Sequence, residues 1–264
     1  MIINPKEINY SKFKRVFAFG CSFTFDKWPT WADILRQEML DAEFYNFGKS
    51  GAGNLMISSR IVEADKRFNF TDTDLILVMW STFCREDRWL HGSWLHPGNI
   101  FTQNIYDKKF VEKFSDPLGY LIRDVSLISL SLNYLEKTPA TAIAMPSVPL
   151  DHQIDDKNKN YNTVIELYKS QFDSMPVSMF EDMGSMWDPG HTYFLNHSQS
   201  IFQDYHPNPI RYFNYLKNIG FPLSYFSEMY AKNVTEELLQ TSTENEIAEI
   251  FSYLKNFDAN SKLF

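Results

Sequence analysis

The chain has 264 residues, 44% of them hydrophobic and 22% charged, a balance that excludes an intrinsically disordered protein. A net charge of −8 without a long basic run argues against general nucleic-acid binding. No apolar run approaches the ~18 residues that span a membrane, and the first residues contain no apolar signal sequence. We therefore expect a cytoplasmic protein with neither nucleic acid nor membrane as a partner.

The two cysteines indicate neither disulfides nor a metal centre. Cys21 and Cys84 lie in or beside apolar runs, which is typical of buried free thiols in a reducing compartment. The sequence also lacks an HExxH pattern or a comparable short ligand spacing. We therefore expect no metal and no cofactor.

Short apolar runs alternate with helical periodicities along most of the chain. In chain order, the predicted elements are a strand at 15–20, a helix at 30–40, a strand at 43–47, a helix at 57–68, a strand at 74–80, a helix at 121–135, a strand at 140–145, a helix at 164–172 and a helix at 210–218. The alternation predicts an α/β fold, in which a central parallel sheet lies between two layers of helices as a three-layer sandwich.

Two segments show no such periodicity, and we predict long loops at 84–118 and 174–203 within a domain that spans 1–220. Residues 221–264 have helical patterns again and are interpreted as a C-terminal helical extension of the same domain. In open α/β sheets, the loops at the carboxyl ends of the strands build the functional site. Both long loops are therefore candidates for substrate contacts.

A serine directly follows the first predicted strand. Ser22 lies in the run GCSFT, residues 20–24, where the strand gives way to a helix. A serine at such a turn projects its hydroxyl over the carboxyl edge of the sheet, and the helix N-terminus offers backbone N–H groups to a developing oxyanion. Ser22 is therefore a candidate nucleophile, and helix capping is the structural alternative.

Two later runs carry further candidate residues. The glycines of NFGKSGAGN, residues 46–54, allow a backbone N–H to approach a ligand, but the run lacks the GxxxxGK[ST] spacing of a phosphate loop. The run DYHPN, residues 204–208, places the carboxylate of Asp204 two residues from the imidazole of His206. Histidine is the natural base for a serine hydroxyl, and a carboxylate can orient it.

Together and in this order, the three runs resemble the motif blocks of the SGNH/GDSL hydrolase family. FAFGCSFT resembles its first block, with Cys21 where many members have Asp, and NFGKSGAGN resembles its second. DYHPN resembles the last block. The resemblance covers roughly 15–219 and is greatest to GCSFT-type members of bacteria and bacteriophages. It implies an SGNH-hydrolase, flavodoxin-like fold with Ser22 as nucleophile, His206 as base, Asp204 as acid and Gly51 in the oxyanion hole.

The third block departs from the family pattern. Members usually have GxND after the third strand, and its Asn donates to the oxyanion, whereas this chain has WSTFCR at 80–85. The expected donor is therefore the hydroxyl of Ser81 or Thr82, or the guanidinium of Arg85. Losing one oxyanion donor costs about 10²–10³ in rate, so the departure bears directly on activity.

The last block departs as well, because its acid usually stands three residues before the histidine, where this chain has Gln203. In an extended or turn backbone, residues two apart project to the same side, so Asp204 can reach His206. A backbone carbonyl is the alternative partner of the imidazole.

Three residues near the third strand are predicted to bind substrate. Arg85 is expected to contact an anionic substrate group or to support the oxyanion region, against the alternative of an ion pair with Glu86 or Asp87. Trp80 and Trp94 are also expected to bind substrate. Trp94 is expected to form a platform for a sugar ring or an acyl chain with Trp89 and Trp187, against the alternative that these three rings pack the loops onto the body of the domain.

The resemblance implies a serine ester hydrolase that removes a small acyl group through an acyl-enzyme. A small-molecule or carbohydrate ester is the expected substrate, with an O-acetyl group on a sugar as the first candidate. The alternative is a weak or inactive SGNH-fold binding or virion-associated protein, which the missing Asn favours. A phage-encoded chain would be located in the host cytoplasm or in the virion.

Overall fold

The computed structural model describes residues 1–102, 106–151, 159–183, 193–197, 200–204, 206–241 and 243–264, with the backbone alone at 159, 193–197 and 200–204. The strands are β1 (Arg15–Phe19), β2 (Glu43–Asn46), β3 (Asp74–Trp80), β4 (Arg85–Leu90), β5 (Ser93–Asn99), β6 (Thr141–Pro146), β7 (Tyr193–His197) and β8 (Ser200–Asp204). The helices are α1 (Trp31–Arg36), α2 (Asn54–Phe68), α3 (Lys108–Phe114), α4 (Pro117–Glu136), α5 (Lys159–Asp173), α6 (Met179–Met183), α7 (Pro209–Asn218), α8 (Tyr225–Gln240) and α9 (Glu244–Ile250).

The central sheet is parallel, with the strand order β2-β1-β3-β6. All seven residues of β3 and all six of β6 are buried, as expected for strands that helices cover on both faces. This order places β1 and β3 in the middle of the sheet, which is the doubly wound arrangement of flavodoxin-like folds. The predicted parallel sheet is confirmed.

Helices cover both faces of the sheet. On one face, Phe19 and Val78 pack in a core with residues of α2, α4 and α5, including Ile61 and Val125. On the other face, the core contains residues of α1 and α7, among them Leu216. The structure is therefore the predicted three-layer α/β sandwich.

The two edges of the sheet are covered by segments from the two ends of the chain. Ile2 forms a parallel bridge with Ala142 of β6, and Asp258 forms one with Asn46 of β2. The backbone N–H of Ala259 also donates to the Asn46 carbonyl at 2.9 Å.

The C-terminal segment is helical, as the sequence predicts. Helix α8 packs against α7, and α8 and α9 enclose the fully buried ring of Trp28 together with Leu238 and Phe251. In the part of the chain that the structure describes, no helix combines the length and the apolar character needed to cross a membrane.

The prediction of irregular loops is wrong at two places. Within 84–118, strands β4 and β5 form an antiparallel hairpin and α3 follows it. Within 174–203 lie α6, β7 and all of β8 except its last residue. The β4–β5 turn is His91-Gly92, and both residues have positive φ, as a two-residue hairpin turn requires. The charges of β4 and Pro97 in β5 hide the strand pattern, because neither is typical of strands.

Candidate active site

The β1–α1 loop, residues 20–30, carries Ser22 at the carboxyl end of a central strand. Its chain turns sharply because Gly20 lacks a side chain: a Cβ there would lie 2.0 Å from Thr24 Oγ1. The Thr24 carbonyl accepts hydrogen bonds from Asn46 Nδ2 and Thr30 Oγ1, both at 2.8 Å. These bonds fix the loop against the end of β2 and the start of α1.

The same loop surrounds His206. The imidazole ring lies 5.3 Å from the ring of Phe23 and 6.3 Å from that of Trp28, and its Nδ1 is 3.2 Å from Asp26 Oδ2. The buried indole Nε1 of Trp28 donates to the carbonyl of Pro207 at 2.9 Å. The fold therefore brings the predicted base against the residues that follow the predicted nucleophile.

Sequence reasoning missed Asp26. The predicted acid, Asp204, ends β8, and its side chain lies outside the described part of the structure, so its role stays a prediction. Asp26 stands four residues after Ser22, but no spacing in the sequence indicates that this carboxylate meets a histidine so far along the chain. Only the fold shows this contact.

The β2–α2 loop, residues 47–53, is held by the β4–β5 hairpin. Gly51 has φ +79°, and a Cβ there would lie 2.3 Å from the His96 carbonyl oxygen, so glycine is required both for the conformation and for the approach of β5. The His96 imidazole hydrogen-bonds the Ser50 backbone, and burial lowers its pKa. The imidazole of His96 therefore packs against the candidate oxyanion loop.

Strand β4 supplies two further contacts to this loop and to the start of α2. The buried Asp87 carboxylate accepts the backbone N–H of Gly53 at 2.8 Å and that of Met56 at 2.9 Å. Arg85 Nη1 donates to the Ala52 carbonyl at 3.1 Å. The hairpin is thus a support for the loop that presents the Gly51 backbone.

In the loop after β3, the two hydroxyls predicted as oxyanion donors lie in different environments. Ser81 exchanges two backbone hydrogen bonds with the side chain of Asn54, and its own hydroxyl is buried. Thr82 is half-buried, and its Oγ1 accepts the Nε–H of Arg85 at 2.9 Å. Because a hydroxyl both accepts and donates, the Thr82 proton remains available to another acceptor.

The predicted substrate residues occupy three different environments. Trp80 is 1% exposed in the core beside α2 and α4, so substrate contact through its ring is not supported. Arg85 bridges the loops through Thr82 and Ala52. Trp94 is half-buried on the hairpin and lies edge-to-face with Trp89 at 5.8 Å, where an accessible ring surface remains.

A buried carboxyl group lies behind this loop. Asp124 of α4 is fully buried; its Oδ2 accepts from Asn54 Nδ2 at 3.3 Å and its Oδ1 from Arg123 Nε at 2.8 Å. Burial raises the pKa of Asp124 to about 7, against 3.8 for an ordinary Asp, although Arg123 and Asn54 oppose the shift.

We expect Asp124 to make the protein less stable as the pH rises from about 4 to about 7. The folded chain keeps the proton that the unfolded chain has released, so folding takes up a proton in this range and the free energy of unfolding falls with pH. The Asp124→Asn variant has no titrating carboxyl at this position. Its free energy of unfolding, measured in urea at pH 5, 6 and 7, should therefore decline less with pH than that of the unsubstituted protein. The exposed Asp72→Asn is the control, and a decline equal to that of the unsubstituted protein would contradict the assignment.

Comparisons with known proteins give one distant likeness to report. A crystal structure of a member of the lipolytic protein G-D-S-L family from Veillonella parvula DSM 2008 is similar to this chain, with a TM-score of 0.41 and 13% identity over 78% of this chain and 94% of that chain. No protein-family model and no curated protein matches the sequence. A likeness this distant establishes neither a family nor an activity.

Proposed function

We propose that this chain is a serine ester hydrolase of the SGNH type, with Ser22 as nucleophile and His206 as general base. The observation that carries the proposal is the proximity of His206 to the β1–α1 loop. Phe23, the residue after Ser22, lies with its ring 5.3 Å from the imidazole, although the two residues are far apart in sequence. A serine nucleophile and a histidine base at the carboxyl edge of a parallel sheet are the two groups that acyl transfer requires.

The chemistry follows from these two groups. His206 takes the proton of the Ser22 hydroxyl while Ser22 Oγ attacks the ester carbonyl, and a tetrahedral oxyanion forms. The protonated His206 then returns the proton to the departing alcohol. Water attacks the resulting acyl-enzyme by the same route and releases the acid. The backbone N–H groups of Ser22 and Gly51 stabilise the oxyanion at both stages.

The Thr82 hydroxyl is the third oxyanion donor. It takes the place of the Asn that the family resemblance leads one to expect, since it is half-buried and retains its proton for donation. The guanidinium of Arg85, which donates to Thr82 Oγ1, polarises the hydroxyl toward an anion. The hydroxyl of Ser81 is buried and serves this role less well.

Removing this donor tests the assignment. Thr82→Val keeps the shape of the side chain and should lower kcat by about 10²–10³-fold with little change in KM, because the interaction forms only in the transition state. Thr82→Ser keeps the hydroxyl and should recover most of the rate. The control is Thr138→Val, at the opposite edge of the sheet; a Thr82→Val enzyme with its full rate would remove Thr82 from the oxyanion hole.

The substrate is a small acyl ester, with an O-acetyl group on a sugar as the first candidate. Support comes from the accessible ring of Trp94 on the hairpin that also holds the Gly51 loop. Aromatic rings provide apolar faces for sugars and acyl chains.

A panel of p-nitrophenyl esters and acetylated sugars, with a serine-reactive phosphonate in parallel, tests the function. We expect hydrolysis of short acyl esters and phosphonate labelling at Ser22, located by mass spectrometry of the labelled peptide. The absence of both turnover and labelling would favour the second candidate, a binding protein on an inactive scaffold. The observation that favours that candidate is the missing Asn after the third strand.

A further inference from the structure

We propose that Asp26 is the carboxylate that orients His206 and stabilises its protonated form during turnover. This inference rests on the proposed hydrolase function and deepens it. It makes Asp26 a positioning residue that acts through His206, and it places nucleophile and carboxylate on one loop, with only three residues between them.

The contact itself is the first step. His206 Nδ1 lies 3.2 Å from Asp26 Oδ2, and the two side chains are 24% and 9% exposed. A pair so little exposed interacts more strongly than an ion pair on an open surface, because solvent screens it less. The carboxylate of Asp26 therefore stabilises a positive charge on the His206 imidazole.

The choice of ring nitrogen is the second step. Because a carboxylate accepts hydrogen bonds, a neutral His206 beside Asp26 is favoured with its proton on Nδ1. Nε2 is then unprotonated and is the atom that can accept the proton of Ser22. Asp26 thus selects the tautomer that general-base catalysis requires.

The rigidity of the surroundings is the third step. Trp28 fixes the backbone beside His206 through its bond to Pro207, and the β1–α1 loop that carries Asp26 is fixed through the Thr24 carbonyl. The neighbouring cation, Lys27, pairs with Glu244 at 2.6 Å on the surface. The position of Asp26 relative to the imidazole is therefore set by the fold of the loop.

The experiment compares Asp26→Asn, Asp26→Glu and Asp204→Asn in ester turnover and in an NMR titration of the His206 ring protons, assigned with His206→Gln. Asp26→Asn should lower kcat by about 10⁴-fold, as the equivalent change does in a serine protease, and Asp26→Glu should recover part of the loss. The His206 pKa should fall in Asp26→Asn because a nearby negative charge is lost, which shifts the acidic limb of the kcat/KM profile to lower pH.

The controls separate this inference from the proposed function. Asp72→Asn, an exposed change, should leave turnover and the His206 titration unchanged, and thermal unfolding checks that each variant is folded. An unchanged His206 pKa in a folded Asp26→Asn protein, or a loss of turnover in Asp204→Asn alone, overturns the role of Asp26 and leaves a Ser22-dependent hydrolase intact. If no ester is hydrolysed, the proposed function fails, whereas the titration still tests the Asp26–His206 pair.

Discussion

Ester turnover should fall by about 10⁶-fold when Ser22 is replaced by alanine, as it does when the nucleophile of a serine protease is removed. Attack on the ester requires an oxygen nucleophile at this position, and the alanine side chain has none. The change deletes one oxygen atom from a side chain that is 5% exposed, so the fold should tolerate it. Initial rates with the best ester of the panel measure the effect.

The matched control is Ser11→Ala, an exposed serine before β1, which should retain full turnover. Thermal unfolding of both variants checks that the fold is intact. A folded Ser22→Ala enzyme with more than a few per cent of the original rate would show that the nucleophile lies elsewhere.

The second large effect concerns stability. Asp87→Ala should lower the free energy of unfolding by about 3–5 kcal/mol, because it deletes two charge-assisted hydrogen bonds and leaves the backbone N–H groups of Gly53 and Met56 buried without an acceptor. The carboxylate also lies at the positive end of the α2 dipole. Burial raises the pKa of Asp87, and these two N–H groups oppose that shift.

Urea unfolding at pH 7 measures the loss. Asp107→Ala removes a similar but exposed cap at the start of α3 and should cost only about 1 kcal/mol. The Asp87→Asn variant keeps one acceptor oxygen, so its loss of free energy of unfolding should lie between those of Asp87→Ala and Asp107→Ala. Equal losses for Asp87→Ala and Asp107→Ala would mean that the β4 carboxylate does not hold α2 and the loop before it.

The sheet and its helices could be predicted because their sequences follow simple rules. The bounds predicted for β3 match the observed ones, since a strand covered on both faces is a nearly continuous apolar run, here interrupted only by its first residue, Asp74. The β4–β5 hairpin escaped prediction because its strands are partly exposed and carry charges, and the pairing of Trp89 with Trp94 depends on the turn between them.

Some features of the candidate site could likewise be predicted from the sequence, and others could not. The position of Ser22 after β1 and the glycine-rich turn that contains Gly51 follow from local sequence, because each depends on the turn that ends a strand. The close approach of the His96 carbonyl to Gly51 does not, because it depends on the packing of β5. The Asp26–His206 contact and the bridge from Arg85 to Thr82 and Ala52 do not, because each depends on how distant loops meet. The sequence pattern shows where a loop begins, whereas tertiary packing determines which side chains that loop contacts.

The coverage of the sheet edges has a consequence for solubility. An exposed edge strand offers unpaired backbone groups on which a second chain can add a strand, and this is a common start of aggregation. Here the bridges of Ile2 to Ala142 and of Asp258 to Asn46 occupy both edges of the central sheet. A variant shortened past either bridge would leave β6 or β2 open to another molecule. The two segments that form these bridges therefore protect the central sheet from pairing with a strand of a second chain.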